Sequence, residues 1–167
     1  MNDDKRAISS TTDGKPPRAG YENASAPAPV NPRTGQHEAY WVLSEEERAK
    51  GFVRPVRTSY RHVGRGPVCG KPRDGAPTTA CVDSRGHEGD CTGWRAEVTD
   101  AERARLDRIG YLGGCDTVTT MGRALAETYA RAPGFYGATF CVECGKHLPV
   151  GEGGEFVWVD GGGRVGT

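Results

Sequence analysis

The residues of this chain best suited to chemistry are its six cysteines and its four histidines. The tightest arrangement is Cys141-Val142-Glu143-Cys144-Gly145-Lys146. A CxxC followed by glycine brings two sulfurs to one point from a tight turn, and the glycine lets backbone N–H groups face them. Such a pair suits zinc, which takes four sulfur or nitrogen ligands in a tetrahedron. Cys115 is the nearest cysteine upstream, and the 25 residues between it and Cys141 can hold a helix and a returning strand. For the fourth ligand His62 is preferred, because it ends an alternating segment on its inward face. His147, three residues after Cys144, is a crowded alternative, and Asp116 or water is a third.

Cys69, Cys81, His87 and Cys91 form the second group, spaced Cys-x11-Cys-x5-His-x3-Cys. All four are good zinc ligands, and the glycines on either side of His87 suit a chain wrapped around an ion. The spacing matches no standard finger, so an interleaved assignment with Cys69 serving the other metal is also compatible. Six cysteines and two histidines make two sets of four. Closed sites with four protein ligands leave no position for water, so the expected role is structural. His37 reads as a surface residue. Three disulfides are the competing use of six cysteines. They belong to oxidising compartments, and the polar start MNDDKR lacks the apolar run of a secretory signal. The expectation is therefore a reducing compartment such as the cytoplasm, and metal rather than disulfides.

Composition also favours metal. Only 35 % of the residues are apolar, while glycine (25 residues) and proline (11) together make up about a fifth of the chain. Such a chain buries few side chains against its backbone entropy. Structural zinc contributes on the order of 10–16 kcal/mol in peptide models, all of it folding free energy. No window of about 18 apolar residues exists to span a membrane. The net charge is zero but uneven: residues 48–73 hold eight Lys or Arg and no acid.

These groups need elements to hold them. Residues 1–35, rich in Pro, Ser and Thr, read as a flexible tail. Tyr40 to Leu43 is an apolar patch, and Ser44 with Glu47 is a capping box for a short helix ending before Gly51. Val56, Thr58, Tyr60 and His62 then alternate with Arg57, Ser59 and Arg61, which predicts a strand with a wet basic face. Little regular structure is expected over 64–96. Thr99 with Glu102 caps a helix over 100–109 that stops at Gly110. Thr119 or Thr120 caps a third helix over about 121–132, with Met121, Leu125 and Tyr129 on one face, ended by Pro133-Gly134. Phe135 to Val142 and Glu155 to Asp160 read as strands that pair as a hairpin. The fold class is small α+β, zinc-stabilised, with short helices, a β-hairpin and a ribbon-like site.

The segments YRHV, TMGRALAETYARAPGFYGATFCVECGKHLPV and EFVWVDGGGRVGT resemble a family of small, mostly uncharacterised zinc-binding proteins encoded by bacteriophages and prophages. The resemblance implies that His62 and Cys115 form the first half of a ribbon-like site and Cys141 and Cys144 the second. It makes 36–63 and 113–167 one core, and 64–112 an inserted loop with its own metal and a helix.

The expected function is that of a structural or interaction protein of phage origin, held by two zinc ions, that belongs to a virion or acts on a host protein. A nucleic-acid-binding zinc protein is the alternative. Arg54, Arg57, Arg61 and Arg65 beside Tyr60, with Lys71 and Arg73, would supply salt-dependent phosphate contacts. No recognition helix accompanies them. A Cys/His-dependent enzyme is a further alternative, although the chain has no Walker loop, HExxH or serine elbow. His87-Glu88 beside Cys91 also lacks the partner motif of the zinc deaminases.

Overall fold

The computed structural model describes residues 9–12, 29–161 and 163–167. In chain order its elements are β1 (Ser9–Thr11), β2 (Trp41–Leu43), α1 (Glu45–Ala49), β3 (Ser59–His62), β4 (Gly64–Arg65), β5 (Pro72–Arg73), β6 (Ala76–Cys81) and β7 (Trp94–Arg95). There follow α2 (Asp100–Ile109), β8 (Leu112–Gly113), β9 (Val118–Thr120), α3 (Arg123–Arg131), β10 (Ala138–Cys141), β11 (Lys146–Pro149) and β12 (Phe156–Trp158). The architecture is small α+β. Short helices sit among five small antiparallel sheets: β1-β2, β10-β11, β12-β3-β9, β4-β8 and β5-β6-β7. No helix among the described residues is long and apolar enough to cross a membrane.

The sheet β12-β3-β9 positions the larger core. Tyr60 lies opposite Trp158 and Thr119, and His62 lies opposite Phe156. Alternation along β3 sends Tyr60 and His62 inward and leaves Ser59 and Arg61 half-buried. The expected alternation is therefore correct for β3 itself. It does not extend back to Val56 and Thr58, which precede the strand and are exposed. Tyr60 meets the edges of Phe156 and Trp158, with ring centroids 5.4 and 6.4 Å apart, and its hydroxyl donates to the Phe140 carbonyl at 2.6 Å. A second cluster of Val68, Ala80, Val98, Leu106 and Leu112 lies under α2 and the 64–96 segment. Buried residues of the first cluster number six and of the second five. Cores of that size supply little hydrophobic stabilisation against chain entropy, which leaves room for metal to matter.

Helix α2 follows its sequence signals. Thr99 and Glu102 complete a reciprocal capping box, and Gly110 takes the left-handed conformation with φ +75°. At α1 only the Ser44 half of the box forms, accepting from the Glu47 N–H at 3.3 Å. α3 starts later than its threonines suggested. Thr119 and Thr120 belong to β9, where the unpaired edge of β3 claims them, and Gly122 occupies the cap position without a side-chain bond. The helix buries two faces. Tyr129 enters the aromatic core. Thr128 accepts from the Leu43 N–H at 3.1 Å, and buried Glu127 bonds Arg123 at 2.6 Å as well as Arg48.

Three expectations need correction. The final strand does not pair with the strand that leads into the CxxC. The CxxC turn reverses the chain at once, so β10 pairs with β11 from Cys141↔Lys146 to Ala138↔Pro149, and β12 joins β3 instead. Residues 64–96 contain the three-stranded sheet β5-β6-β7, because Thr79 to Cys81 are buried and Arg103 of α2 donates to the Thr79 carbonyl. Part of the expected tail is ordered: residues 9–11 pair with the edge of β2 through backbone bonds that need no apolar composition, and Val30 bridges to His37. Residues 1–8 and 13–28 of the expected tail lie outside the described residues.

Candidate metal centres

The two predicted ligand sets converge as two separate clusters, each with all four ligand atoms within 4.8 Å of one another. The interleaved assignment of Cys69 is excluded. In the first cluster His62 ends β3, Cys115 follows β8, Cys141 ends β10 and Cys144 lies in the turn to β11. Cys115 Sγ is 3.2 Å from His62 Nδ1. Cys141 Sγ is 3.4 Å from Cys115 Sγ, and Cys144 Sγ is 3.4 Å from His62 Nδ1. A zinc tetrahedron with bonds of about 2.3 Å to sulfur and about 2.0 Å to nitrogen has edges of about 3.5–3.8 Å. The first cluster is slightly tighter than that. The second fits it closely: 3.9 Å for Cys69–Cys91, 3.7 Å for Cys81–His87 and 3.6 Å for Cys91–His87. All six thiols are free, and these separations far exceed the ~2.05 Å of a sulfur–sulfur bond.

Local backbone structure explains the convergence. In the first cluster Gly145, at φ +62°, closes the CxxC turn, and its N–H donates to the Cys141 carbonyl at 2.9 Å. The Val142 N–H donates to Thr119 Oγ1 at 3.3 Å, which fixes the turn to β9. His62 N–H donates to the Thr117 carbonyl at 3.1 Å, and Asp116 N–H to the His62 carbonyl at 2.9 Å, so Cys115 is held beside β3. Gly114 lets the chain approach this closely, since a Cβ there would meet the Val63 backbone. In the second cluster Gly70 N–H donates to the Cys81 carbonyl and Cys81 N–H to the Lys71 carbonyl, both at 2.9 Å.

Surrounding groups prepare the ligands. His62 Nε2 lies 3.1 Å from Glu155 Oε2. Nε2–H donating to that carboxylate leaves the Nδ1 lone pair facing the three sulfurs, the usual way a second partner fixes a metal-binding imidazole. Asp83 Oδ2 accepts from the Thr92 and Gly93 N–H groups at 2.9 Å each and from the Cys81 thiol at 3.3 Å. The N–H groups of Gly93 and Thr92 hold the Asp83 carboxyl below its usual range. Cys69, Cys81 and Cys115 each receive a bond from the backbone two residues on, at Lys71, Asp83 and Thr117. Glu155, Asp83 and Thr117 were not singled out in the sequence. For Asp83 and Thr117 the signal was their place two residues after a ligand cysteine, whereas Glu155 carried none.

Electrostatics points the same way. Burial opposes ionisation of Cys115, but bonds from Thr117, His62 and Cys141 together bring its thiol down to about 6. Burial, then the sulfurs of Cys141 and Cys115, push Cys144 up to about 12. In the second cluster the Lys71 N–H, with His87 next, brings Cys69 down to about 7, while burial drives Cys81 up to about 12. Each cluster thus accepts one negative charge readily and resists another. A dication at the centre is what allows three thiolates to coexist. Cys115 and His62 are close enough for a nucleophile pair, and the sulfurs of Cys141 and Cys144 stand at the same point.

His147 is not a ligand. Its Nε2 bonds Tyr40 Oη at 3.1 Å, and it stacks on His37 with centroids 4.1 Å apart. Burial, with His37 adding to it, lowers its imidazole to about 4. Asp116 faces Arg61 and Arg108 rather than the sulfurs.

The basic candidates for nucleic acid each face another group of the chain. Tyr60 is in the core and cannot stack on a base. Arg57 Nε is 2.8 Å from both oxygens of Asp160, Arg61 pairs with Asp116 at 3.4 Å, and Arg54 donates to the Thr167 carbonyl at 3.3 Å. Arg65 is exposed and 3.6 Å from Glu155. Comparison with protein-family models, with curated proteins and with solved structures finds no match to this chain.

Proposed function

We propose that this chain is a zinc-held interaction scaffold, in which each Cys3His cluster binds one zinc ion and neither ion does chemistry. The observation that carries this reading is the convergence of eight ligands into two complete sets of four. Zinc is favoured because three thiolates and one imidazole are soft donors in a tetrahedral arrangement, a common structural zinc set. A set of four protein ligands leaves no coordination position for a substrate, so the metal's contribution is to the fold. The first site has a ribbon-like plan: one half comes from the end of β3 and Cys115, the other from the turn of the β10-β11 hairpin.

A scaffold of this kind acts through its surface, on a protein partner. The resemblance to phage and prophage proteins would make that partner a virion component or a host protein. A nucleic-acid role loses support, because Arg57 and Arg61 are already matched by acids and Tyr60 is buried. Elemental analysis of the purified chain tests the metal reading. Two zinc ions per chain are expected, and one or none contradicts it.

A further inference from the structure

A cleft of about 360 Å³ opens where the 64–96 segment meets the rest of the fold. Its apolar wall is Val68 and Leu112, both from the smaller core, with Val82 at the rim, 38 % exposed. Arg65 on β4 and Arg95 on β7 line it from the two sides. Arg95 reaches across to β8, where its Nη1 lies 3.5 Å from the position a Cβ on Gly113 would take. The size falls in the range of small-molecule sites, about 300–1,000 Å³.

The hydrogen-bond donors of the two arginines decide what fits. Both guanidinium groups are incompletely engaged. Arg65 Nε is 3.6 Å from Glu155 with its side chain 82 % exposed, and Arg95 Nη2 is 2.9 Å from Glu102 with its side chain 44 % exposed. Among the described residues that line the cleft Glu155 is the acid, its Oε2 3.1 Å from His62 Nε2, and Glu102 stands beside Arg95. Each guanidinium gives one nitrogen to its acid and presents its other N–H groups beside an apolar wall, and a planar guanidinium fork matches a carboxylate.

We propose that this cleft binds a small carboxylate carried on a short apolar body, with the acid against Arg65 and Arg95 and the body against Val68, Val82 and Leu112. None of these residues is a metal ligand, and zinc measured on every variant separates a loss of carboxylate binding from a loss of metal. The test is calorimetric titration of the purified full chain with octanoate and with octanol, with zinc content measured on each sample. Octanoate binds saturably at one site, octanol about tenfold more weakly, and Arg65→Ala and Arg95→Ala each weaken octanoate about tenfold. Val82→Glu, at an exposed rim position, blocks octanoate while zinc content stays at the wild-type value. Octanoate that fails to saturate, octanol that binds equally well, or Arg95→Ala and Val82→Glu proteins that bind octanoate like the wild type would overturn the proposal.

Discussion

Glu155 shows how much a residue outside the ligand set can matter. It touches no sulfur, yet its carboxylate holds the ring of His62 with Nδ1 toward the cluster. Replacing such a partner commonly costs about 10–100-fold in metal affinity. Glu155→Gln is expected to lose affinity at the first site in that range and to leave the second unchanged, as read by competition with a chromophoric chelator. First-site affinity unchanged from the unsubstituted protein would remove Glu155 from the metal's support. Zinc needs thiolates and a neutral imidazole, so protons displace it as pH falls. Contacts within each cluster bring Cys115 down to about 6 and Cys69 down to about 7, so one thiol of each set is ready to ionise near neutral pH. Acidification from about pH 8 to 4 should therefore empty both sets. Zinc retained per chain after equilibration at each pH checks this, and full retention at about pH 4 would contradict it.

At the scale of elements, the two proposed ions would hold different parts. Cys69, Cys81 and Cys91 join β5, β6 and the approach to β7, whereas Cys141 and Cys144 close the β10-β11 hairpin on the end of β3. Cys91→Ser is expected to speed amide exchange over 69–95 and to spare β3, β10 and β12. Cys144→Ser should loosen β10, β11 and β3. Hydrogen exchange on both variants separates the cases, and an identical global loss would show one cooperative unit instead. Some of these elements were legible in the sequence because their signals are local. Thr99, Glu102 and Gly110 fix α2 by themselves, and the alternation of Tyr60 and His62 fixes the inward face of β3. The partner of β12 was not legible, since register across the chain depends on which strand edges remain open after the CxxC turn closes. The start of α3 failed similarly: Thr119 and Thr120 are good caps, but an open β3 edge is a stronger demand on their backbone. β1 carries no compositional sign, because its pairing uses main-chain groups alone.

For the whole molecule, ligand identity was more legible than shape. Types and counts of Cys and His divided into two sets of four, and His62 rather than His147 completes the first. What the sequence could not supply were the acids and N–H groups that steady each ligand, and the matching of Arg57 and Arg61 by distant acids. With aromatic and aliphatic clusters this small, the proposed ions would join segments far apart in the chain and the fold would depend on them. X-ray absorption at the zinc edge on the purified protein tests that dependence most directly. Two zinc ions per chain, each with three sulfurs at about 2.3 Å and one nitrogen at about 2.0 Å, are predicted. A first shell of oxygens, a shell with fewer than three sulfurs, or a folded protein without zinc would contradict it.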